Sequence, residues 1–309
     1  MNTAAIPICD IAIIGGGPVG SALALALRGS GLRVRILEAR AGGPAEADAR
    51  ALALSYGSRL LLERLGVWDD GGGISPIRTI HVSQKLAFGR TLLRAAEAGV
   101  PDLGYILPYS DLLTCMRTAL QASEIQGLTG ARVTRLDPDS GSAGITFCHG
   151  QDEQTLHARL VVVADGGNLL DADFPPKIHD YGQSAVIAHV SCTRPAAQTA
   201  FERFTPHGPV ALLPYRGGYE LVWTAPQHTA QEMMQWDDRT FLSRLHQHFG
   251  DRVGSFNTIG KRTCFPLRYR RAGRLALPHT VLIGNAAQTL HPVAGQGLNL
   301  GLRDAWELA

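Results

Sequence analysis

A G-x-G-x-x-G pattern of glycines near the N-terminus has the residue types and spacing to bind a phosphate group: Gly15, Gly17 and Gly20. An apolar run, residues 8–14, precedes it, and a predicted helix, residues 21–28, follows it. The first glycine permits a tight turn, the second lets a pyrophosphate approach the backbone, and the third lets the helix pack closely on the strand. Glu38 ends the next predicted strand, where an acid binds ribose hydroxyls. The pattern predicts a dinucleotide site rather than a strand-to-helix turn without a ligand.

A second stretch of the same kind, residues 284–304, lies near the end of the sequence. It follows an apolar run, residues 280–284, which we interpret as a buried strand, and it leads into a helical pattern that begins near Gly297. A turn of this kind brings backbone N–H groups and the positive end of a helix dipole to one point. We therefore expect an electron-rich ligand there.

A third turn, residues 165–168, follows the buried strand predicted for residues 160–164. Taken alone, its Asp-Gly sequence is more typical of an ordinary turn than of a ligand contact. Three separate turns after buried strands are, however, more than a nicotinamide site needs, and they favour a cofactor held along its whole length. That cofactor is FAD, with its flavin ring at the helix that starts near residues 295–297, where the helix dipole stabilises negative charge on the reduced ring.

The elements that must position these turns indicate an α/β fold, with a Rossmann-like FAD-binding domain of the glutathione-reductase type and an inserted antiparallel β-sheet domain for substrate. A helix over residues 110–122, capped by Ser110 or Asp111, and a single helix over residues 232–249 are expected. The predicted FAD-binding domain comprises residues 1–73, 100–174 and 267–309. The predicted substrate domain comprises residues 74–99 and 175–266.

Composition excludes several classes of protein. Lys plus Arg is 29 and Asp plus Glu is 27, so a net charge of +2 gives no support for a nucleic-acid partner. The five cysteines form no C-x-x-C pair, which argues against a zinc site or a disulfide framework and for a reducing compartment. No apolar run is long enough for a membrane span, and the final helix has no stop signal before Ala309, so we expect further C-terminal helices beyond this sequence.

Two basic features leave alternatives open. Six basic residues and no acid occur in residues 261–274, and this run is typical either of a solvated loop or of a segment that approaches an anionic membrane. Arg50 opens the segment 50–55, where spacing alone favours a solvated loop arginine over a contact to cofactor.

The chain resembles the flavoprotein monooxygenases of the para-hydroxybenzoate hydroxylase type, in which a G-x-G-x-x-G motif, an Asp-Gly motif and a Gly-Asp motif occur in this order. Within them, residues 50–55 (RALALS), 65–68 (LGVW) and 284–304 resemble the ubiquinone-biosynthesis hydroxylases. Residues 201–214 and 260–262 are similar to the branch that acts on a prenylated methoxyphenol.

The resemblance implies a set of FAD contacts. The ADP part is expected at the first turn, the flavin side at Arg50, and the remaining contacts at the other two turns. The implied cofactor-binding residues are Gly15, Gly17, Pro18, Gly20, Glu38, Arg50, Asp165, Gly166, Gly284, Asn285, Pro292, Gly295, Gln296, Gly297 and Asn299. His291, beside the flavin motif, and His207, in the 201–214 segment, are candidate catalytic groups, although their positions are more typical of ordinary hydrogen-bonded loop histidines.

The sequence departs from the family pattern at several positions. The usual Gly-Asp is Gly284-Asn285, and Gln288 replaces a frequent histidine. No arginine follows the motif that begins at Asp165, and Tyr109-Ser110 stands where the family has an arginine.

The function implied by the resemblance is hydroxylation of a polyprenyl phenol in ubiquinone biosynthesis, in which NAD(P)H reduces FAD and O2 forms a flavin C4a-hydroperoxide. The alternatives are a prenyl reductase or oxidase of the same fold and a non-catalytic member of a quinone-biosynthesis complex. The expected partners are the phenol, that enzyme complex and a membrane surface, and the expected location is the cytoplasm, peripheral to the inner membrane.

Overall fold

The computed structural model describes residues 8–41, 50–69, 73–138, 141–167, 169–171, 175–291 and 295–309. The helices formed within these residues are α1 (Pro18–Ala26), α2 (Tyr56–Arg64), α3 (Tyr109–Gln121), α4 (Gln227–Gln235), α5 (Asp238–Phe249) and α6 (Gln296–Leu308). The strands are β1 (Ile8–Ile14), β2 (Val34–Glu38), β3 (Ala51–Ser55), β4 (Ser75–Ile77), β5 (Thr79–Gln84), β6 (Arg90–Arg94), β7 (Gly104–Pro108), β8 (Gln126–Thr129), β9 (Ala131–Pro138), β10 (Ala143–His149), β11 (Asp152–Val163), β12 (Lys177–Cys192), β13 (Thr199–Thr205), β14 (Gly208–Tyr215), β15 (Gly218–Pro226), β16 (Phe256–Ile259), β17 (Thr263–Arg271), β18 (Ala276–Leu277), β19 (Thr280–Leu282) and β20 (Gln288–Thr289).

The first sheet has the order β18-β19-β11-β1-β2-β8, and β9 and β10 extend it from β11. The pairs β19·β11, β11·β1, β1·β2 and β2·β8 are all parallel. Helices α1, α2, α3 and α6 cover one face, where Ile13 and Val162 are buried against Leu23 and Met116. Both faces of the central strands are buried, which explains their continuous apolar runs.

The second sheet has the order β20-β17-β12-β15-β14-β13-β5-β6, with β16 paired to β12. It is antiparallel except for the parallel pair β13·β5. Helices α4 and α5 cover one face and bury Val210, Leu212, Tyr219 and Phe241. The predicted antiparallel sheet is therefore present.

A small antiparallel sheet, β3-β7-β4, packs between the two larger ones. Its Ile77 and Ile106 form a buried cluster with Ala200 of β13 and Tyr215 of β14. This cluster includes the face of the second sheet that α4 and α5 leave uncovered. The three-stranded sheet therefore connects the parallel sheet to that face.

Several sequence-based boundaries are corrected. Helix α1 begins at Pro18 rather than residue 21, because proline at the first helical position lacks only an N–H that has no partner there. The N-cap of α3 is Pro108, without a side-chain cap, so neither Ser110 nor Asp111 caps it. The helix predicted over residues 232–249 is two helices, because the side chain of Asp237 accepts a 2.6 Å hydrogen bond from the Thr240 N–H and starts α5 anew.

The basic run of residues 261–274 lies largely in strand β17 rather than in a loop. The proposed division into two domains stays a prediction, and β17 passes through residue 267, where one boundary was drawn. Within the described residues, no helix combines the length and the apolar character that crossing a membrane requires.

Candidate cofactor and substrate site

The three predicted turns meet at one edge of the first sheet. In the strand registers Ile14 is paired with Val163 and with Leu37, and Val163 is paired with Leu282. The parallel strands β1, β2, β11 and β19 therefore all end at the same level. Ligands of open α/β sheets bind outside such carboxyl ends, so this edge is the candidate cofactor site.

The first turn is held by Glu38 and by close packing. The Gly16 N–H donates to Oε2 of Glu38 at 2.6 Å, so this carboxylate fixes the glycine loop. A Cβ on Gly15, whose φ is 106°, would lie 2.5 Å from the carbonyl oxygen of Ala164, and a Cβ on Gly20 would lie 2.0 Å from that of Gly15. These two glycines are therefore required by the fold itself.

Gly17 has a different environment, because a Cβ there would meet nothing within 4 Å. Gly17 is the N-cap of α1, with Pro18 buried behind it. A Cβ on Gly166 in the second turn, or on Gly297 in the third, would likewise meet nothing within 4 Å. Packing therefore does not explain Gly17 or Gly297, whereas Gly166 is required by its φ of 91°. The open space in front of all three fits an elongated ligand.

The third turn is built on a left-handed glycine. Gly295, the N-cap of α6, has a φ of 61°, and a Cβ on it would lie 2.9 Å from that of Ala53 in β3. Gln296 and Gly297 are the first two residues of α6, so their N–H groups carry the positive end of the helix dipole. Pro292 lies outside the described residues.

Asn299 anchors α6 to β3 and α2. Its side-chain amide donates to the carbonyl oxygens of Ala53 at 3.0 Å and Gly295 at 2.8 Å. Its Oδ1 accepts from the Ser55 N–H at 2.8 Å and from the Ser58 hydroxyl at 2.7 Å. The side chain is thus engaged within the protein, and its contribution to the site is to hold the helix start in position.

Asp304 is a residue that the sequence analysis did not single out. Its Oδ2 accepts a 3.0 Å hydrogen bond from the N–H of Gly284, whose φ is 59°. This contact fixes the turn that carries the exposed Asn285. The acid at the far end of the stretch 284–304 was the available signal.

Arg270 is the second missed residue, and it reaches the site from β17. Its Nη1 donates to the carbonyl oxygen of Ala286 at 3.1 Å, and its Nη2 bonds the carboxylate of Asp171. A Cβ on Gly167 would lie 2.7 Å from Nη1. Although no arginine follows Asp165 in sequence, an arginine from the second sheet joins the second and third turns.

The two other predicted polar contacts adopt local roles. Asp165 accepts hydrogen bonds from the N–H groups of Gly167 at 2.8 Å and Leu169 at 3.2 Å, which shapes the second turn. The guanidinium of Arg50 lies 5.4 Å from the ring centre of Tyr109, the residue beside the missing family arginine.

The two candidate histidines lie in different environments, one partly buried and the other exposed. His291 stacks edge-to-face with Tyr181 at 5.0 Å, and burial lowers the pKa of its imidazole, which favours the neutral ring. His207 is exposed in the turn before β14. That turn is at the opposite end of β14 from Tyr215, roughly 24 Å along the strand, so His207 lies far from the cluster beside α6.

The second sheet presents two carboxyl groups on the face opposite α4 and α5. Glu202 is paired with Ala211, and Glu220 is paired with Leu213 on one side and His189 on the other. Leu213 packs in the cluster that contains Ala53, which also touches Gly295. This face therefore lies beside the start of α6.

No described charged group offsets these carboxyls. Burial alone raises the pKa of Glu202 to about 7 and the pKa of Glu220 to about 7. From a strand spacing of about 4.8 Å and a rise of about 3.4 Å, their Cα atoms are roughly 12 Å apart, with Ala211 and Leu213 between them. Two proton acceptors thus flank an apolar floor, and alternation in β13 and β15 was the signal that would have found them.

Comparison with known proteins places this geometry in a family. A family model described as FAD binding domain matches residues 8–309. The chain belongs to this FAD-binding family. The predicted cofactor, FAD, and the predicted α/β class are confirmed.

Two relatives have described activities. The chain is 34% identical over 314 residues to ubiquinone hydroxylase UbiL of Rhodospirillum rubrum, covering 98% of this chain and 72% of the relative. It is 31% identical over 314 residues to 3-demethoxyubiquinol 3-hydroxylase of Escherichia coli, covering 96% and 77%. The resemblance to ubiquinone-biosynthesis hydroxylases, and with it the class of flavoprotein monooxygenase, is confirmed.

The fold is shared with p-nitrophenol 4-monooxygenase PnpA from Pseudomonas putida, at a TM-score of 0.78 and 18% identity, covering 98% of this chain and 79% of that structure. The individual FAD contacts named from the sequence stay predictions.

Proposed function

We propose that this protein is an FAD-dependent, NAD(P)H-using hydroxylase of a prenylated phenol in ubiquinone biosynthesis. The observation that carries the proposal is the set of three turns at one sheet edge, each with a glycine open to a ligand, beside a sheet face on which Glu202 and Glu220 flank Ala211 and Leu213. The names of the two hydroxylase relatives supply the substrate class. The similarity of residues 201–214 and 260–262 favours the branch that hydroxylates 2-octaprenyl-6-methoxyphenol.

In this proposal, residues of the three turns would hold FAD at the sheet edge. Gly15 to Gly20 and Glu38 would hold its ADP part, Asp165, Gly166, Gly284 and Asn285 its middle, and Arg50 and residues 295–299 its ring. Bound FAD supplies the redox chemistry that accepts electrons from NAD(P)H and transfers one oxygen atom of O2 to the substrate. The N-terminus of α6 stabilises negative charge at the ring.

The residues of the second sheet act on the phenol. A ring lying over Ala211 and Leu213 is shielded from water and presents a hydroxyl to one of the flanking carboxyls. Oε of an ionised Glu202 takes the phenolic proton, which makes the ring more electron-rich and more reactive toward an electrophilic oxygen. The pKa of about 7 suits this role, because the group is then both partly ionised and basic at neutral pH.

The test is a measurement on purified protein reconstituted with FAD. We expect a flavin absorbance spectrum, O2 consumption that requires both NAD(P)H and a short-chain prenylated phenol, and a hydroxylated product by mass spectrometry. Reduction of the phenol's prenyl chain without O2 uptake would instead support a reductase. Failure to bind FAD would support a non-catalytic member of a quinone-biosynthesis complex.

A prenylated substrate also implies access to a membrane, because such a molecule is too apolar to diffuse in water. We keep the cytoplasm, peripheral to the inner membrane, as the proposed location. The basic run of residues 261–274 is a weaker contact than its sequence indicates. Arg262 bonds the Trp236 carbonyl at 2.7 Å, Arg268 bonds Asp180 at 3.0 Å, and Arg270 joins the two turns.

A further inference from the structure

The hairpin of β5 and β6 ends in two apolar side chains that the protein leaves almost entirely uncovered. Leu86 is 90% exposed and Phe88 is 109% exposed. The other exposed large apolar side chains of the described residues are 37–59% exposed. Single exposed apolar residues are common on protein surfaces, but two this exposed at one turn are not explained by folding.

The backbone conformation at the turn also indicates that folding alone does not explain the apolar residue there. Leu86 has a φ of 65°, in the left-handed region that favours glycine or asparagine. Folding alone would therefore place a small or polar residue there. The hairpin instead holds a leucine outward in a conformation that costs free energy.

The turn is nevertheless firmly built. Ser83 is paired with Arg90, and the Lys85 N–H donates to the Phe204 carbonyl oxygen of β13 at 2.8 Å. Phe204, on the adjacent strand, is itself 41% exposed. The two apolar side chains therefore lie at the tip of a hairpin that is fixed to β13, where Phe204 is a third exposed apolar side chain.

The hairpin itself carries charge of one sign. Residues 79–96 contain Lys85, Arg90 and Arg94 and no acid. Of these, Arg94 is paired with Glu97 at 2.5 Å. Lys85 and Arg90 stand directly on either side of Leu86 and Phe88, so the apolar tip has a basic rim.

We propose that this hairpin tip, residues 85–90, docks the protein on an anionic lipid bilayer, with Leu86 and Phe88 inserted below the headgroups and Lys85 and Arg90 at the phosphates. Apolar insertion with a basic rim is the arrangement by which proteins bind membrane interfaces. A protein partner fits less well, because a specific interface buries about 800 Å² per partner and a two-residue tip cannot supply this. The docking surface is distinct from the cofactor edge and does not require catalysis.

The experiment is flotation of the FAD-loaded protein with two kinds of vesicle. One contains phosphatidylcholine alone, and the other also contains about 30% of the anionic lipid phosphatidylglycerol. Wild type should float with the anionic vesicles, and the double variant Leu86→Ser/Phe88→Ser should lose at least about tenfold in affinity. Leu32→Ser is the matched control, since Leu32 is 42% exposed in the turn before β2, and it should bind like wild type. Lys85→Gln/Arg90→Gln should lose affinity for anionic vesicles only, and less so at high salt.

A second measurement does not depend on loss of binding. Phe88→Trp places an indole at the tip, whose fluorescence should shift to the blue and be quenched by brominated acyl chains in anionic vesicles. The proposal is overturned if the double serine variant floats like wild type or if the introduced indole is not quenched. It is also overturned if wild type does not float with anionic vesicles that contain no other protein.

Discussion

Glu202 is the residue whose chemistry is most directly testable, because none of the described residues is a charged partner for it and burial raises its pKa. We expect Glu202→Gln to lower kcat/KM for a short-chain prenylated phenol by about a hundredfold, the range for loss of a general base. A raised pKa of about 7 means that the acceptor is neutral below that pH and ionised above it. Wild-type activity should therefore rise through pH 7, and the variant should lack that rise.

The absorbance of the bound phenol gives a readout that is independent of turnover. In wild type, the absorbance band of the bound phenol should shift to the red as the pH passes about 7, because ionised Glu202 then accepts a stronger hydrogen bond from the phenol O–H, whereas in Glu202→Gln only the ordinary phenol ionisation at about pH 10 should remain. Glu220→Gln tests the other flank in the same assay, and Glu232→Gln, on exposed α4, is the control. A red shift near pH 7 that persists in both flank variants, with hydroxylation intact in wild type, would remove the role of the two carboxyls but not the proposed function.

Two glycines two residues apart should respond oppositely to alanine. Gly295→Ala should lower the free energy of unfolding by about 1–3 kcal/mol, since its φ is 61° and the new Cβ would lie 2.9 Å from that of Ala53. Gly297→Ala enters open space in a helix, where alanine is favoured by about 1 kcal/mol, so the FAD-free protein should be no less stable. Its affinity for FAD, measured by flavin fluorescence quenching, should nevertheless fall about tenfold. Equal FAD affinity in Gly297→Ala and wild type would contradict placement of the cofactor there.

The site residues that could be predicted from the sequence are those whose roles depend on neighbouring residues in the chain. The roles of Gly15, Gly17 and Gly20 can be predicted from the sequence, because a strand, a turn and a helix follow one another directly there. The anchoring role of Asn299 is not, because Ser55, one of its partners, is 244 positions away. Arg270 reaches the second and third turns only because β17 pairs with β12, and no local pattern reports that pairing.

At the scale of elements, β17 supplies a matched pair of arginines. Arg270→Met should cost about 2 kcal/mol of unfolding free energy and weaken FAD binding, because Arg270 is 15% exposed and joins two turns. Arg268→Met should cost about 0.5 kcal/mol or less, since both members of its ion pair are at least half exposed. Urea unfolding and FAD titration of both variants would make the comparison. Equal effects would show that Arg270 does not connect the turns.

Element boundaries were predicted best where one signal acts alone. The apolar runs over residues 8–14 and 160–164 are present as β1 and as the end of β11. The split between α4 and α5 was missed because apolar periodicity continues through it, while a single aspartate cap restarts the helix. The basic run, for which a solvated loop was one of two interpretations, lies largely in β17, and three of its arginines bond partners that are distant in sequence.

At the scale of the whole molecule, the proposed site exists only where two sheets meet. The parallel sheet contributes the cofactor edge, and the second sheet contributes Arg270 and the face with Glu202 and Glu220. The three-stranded sheet connects them through Ala53, which touches Gly295 and packs with Leu213. Stability and function are therefore coupled at this junction, because the apolar surroundings that suit the substrate are also what penalise ionisation of the carboxyls.

That penalty should be measurable in the stability of the whole chain. The folded-state pKa of Glu202 and Glu220 is raised from 4.5 to about 7, so each group favours folding fully below pH 4.5 and loses that contribution as pH rises to about 7. Gln cannot ionise, so Glu202→Gln/Glu220→Gln should raise the unfolding temperature relative to wild type at pH 8 by several degrees. At pH 4.5 the difference should largely vanish, because both carboxyls are then neutral in the folded wild type. Glu232→Gln controls for the loss of any surface carboxylate, and a double variant whose advantage is the same at both pH values would show that these carboxyls are not held in a desolvated site.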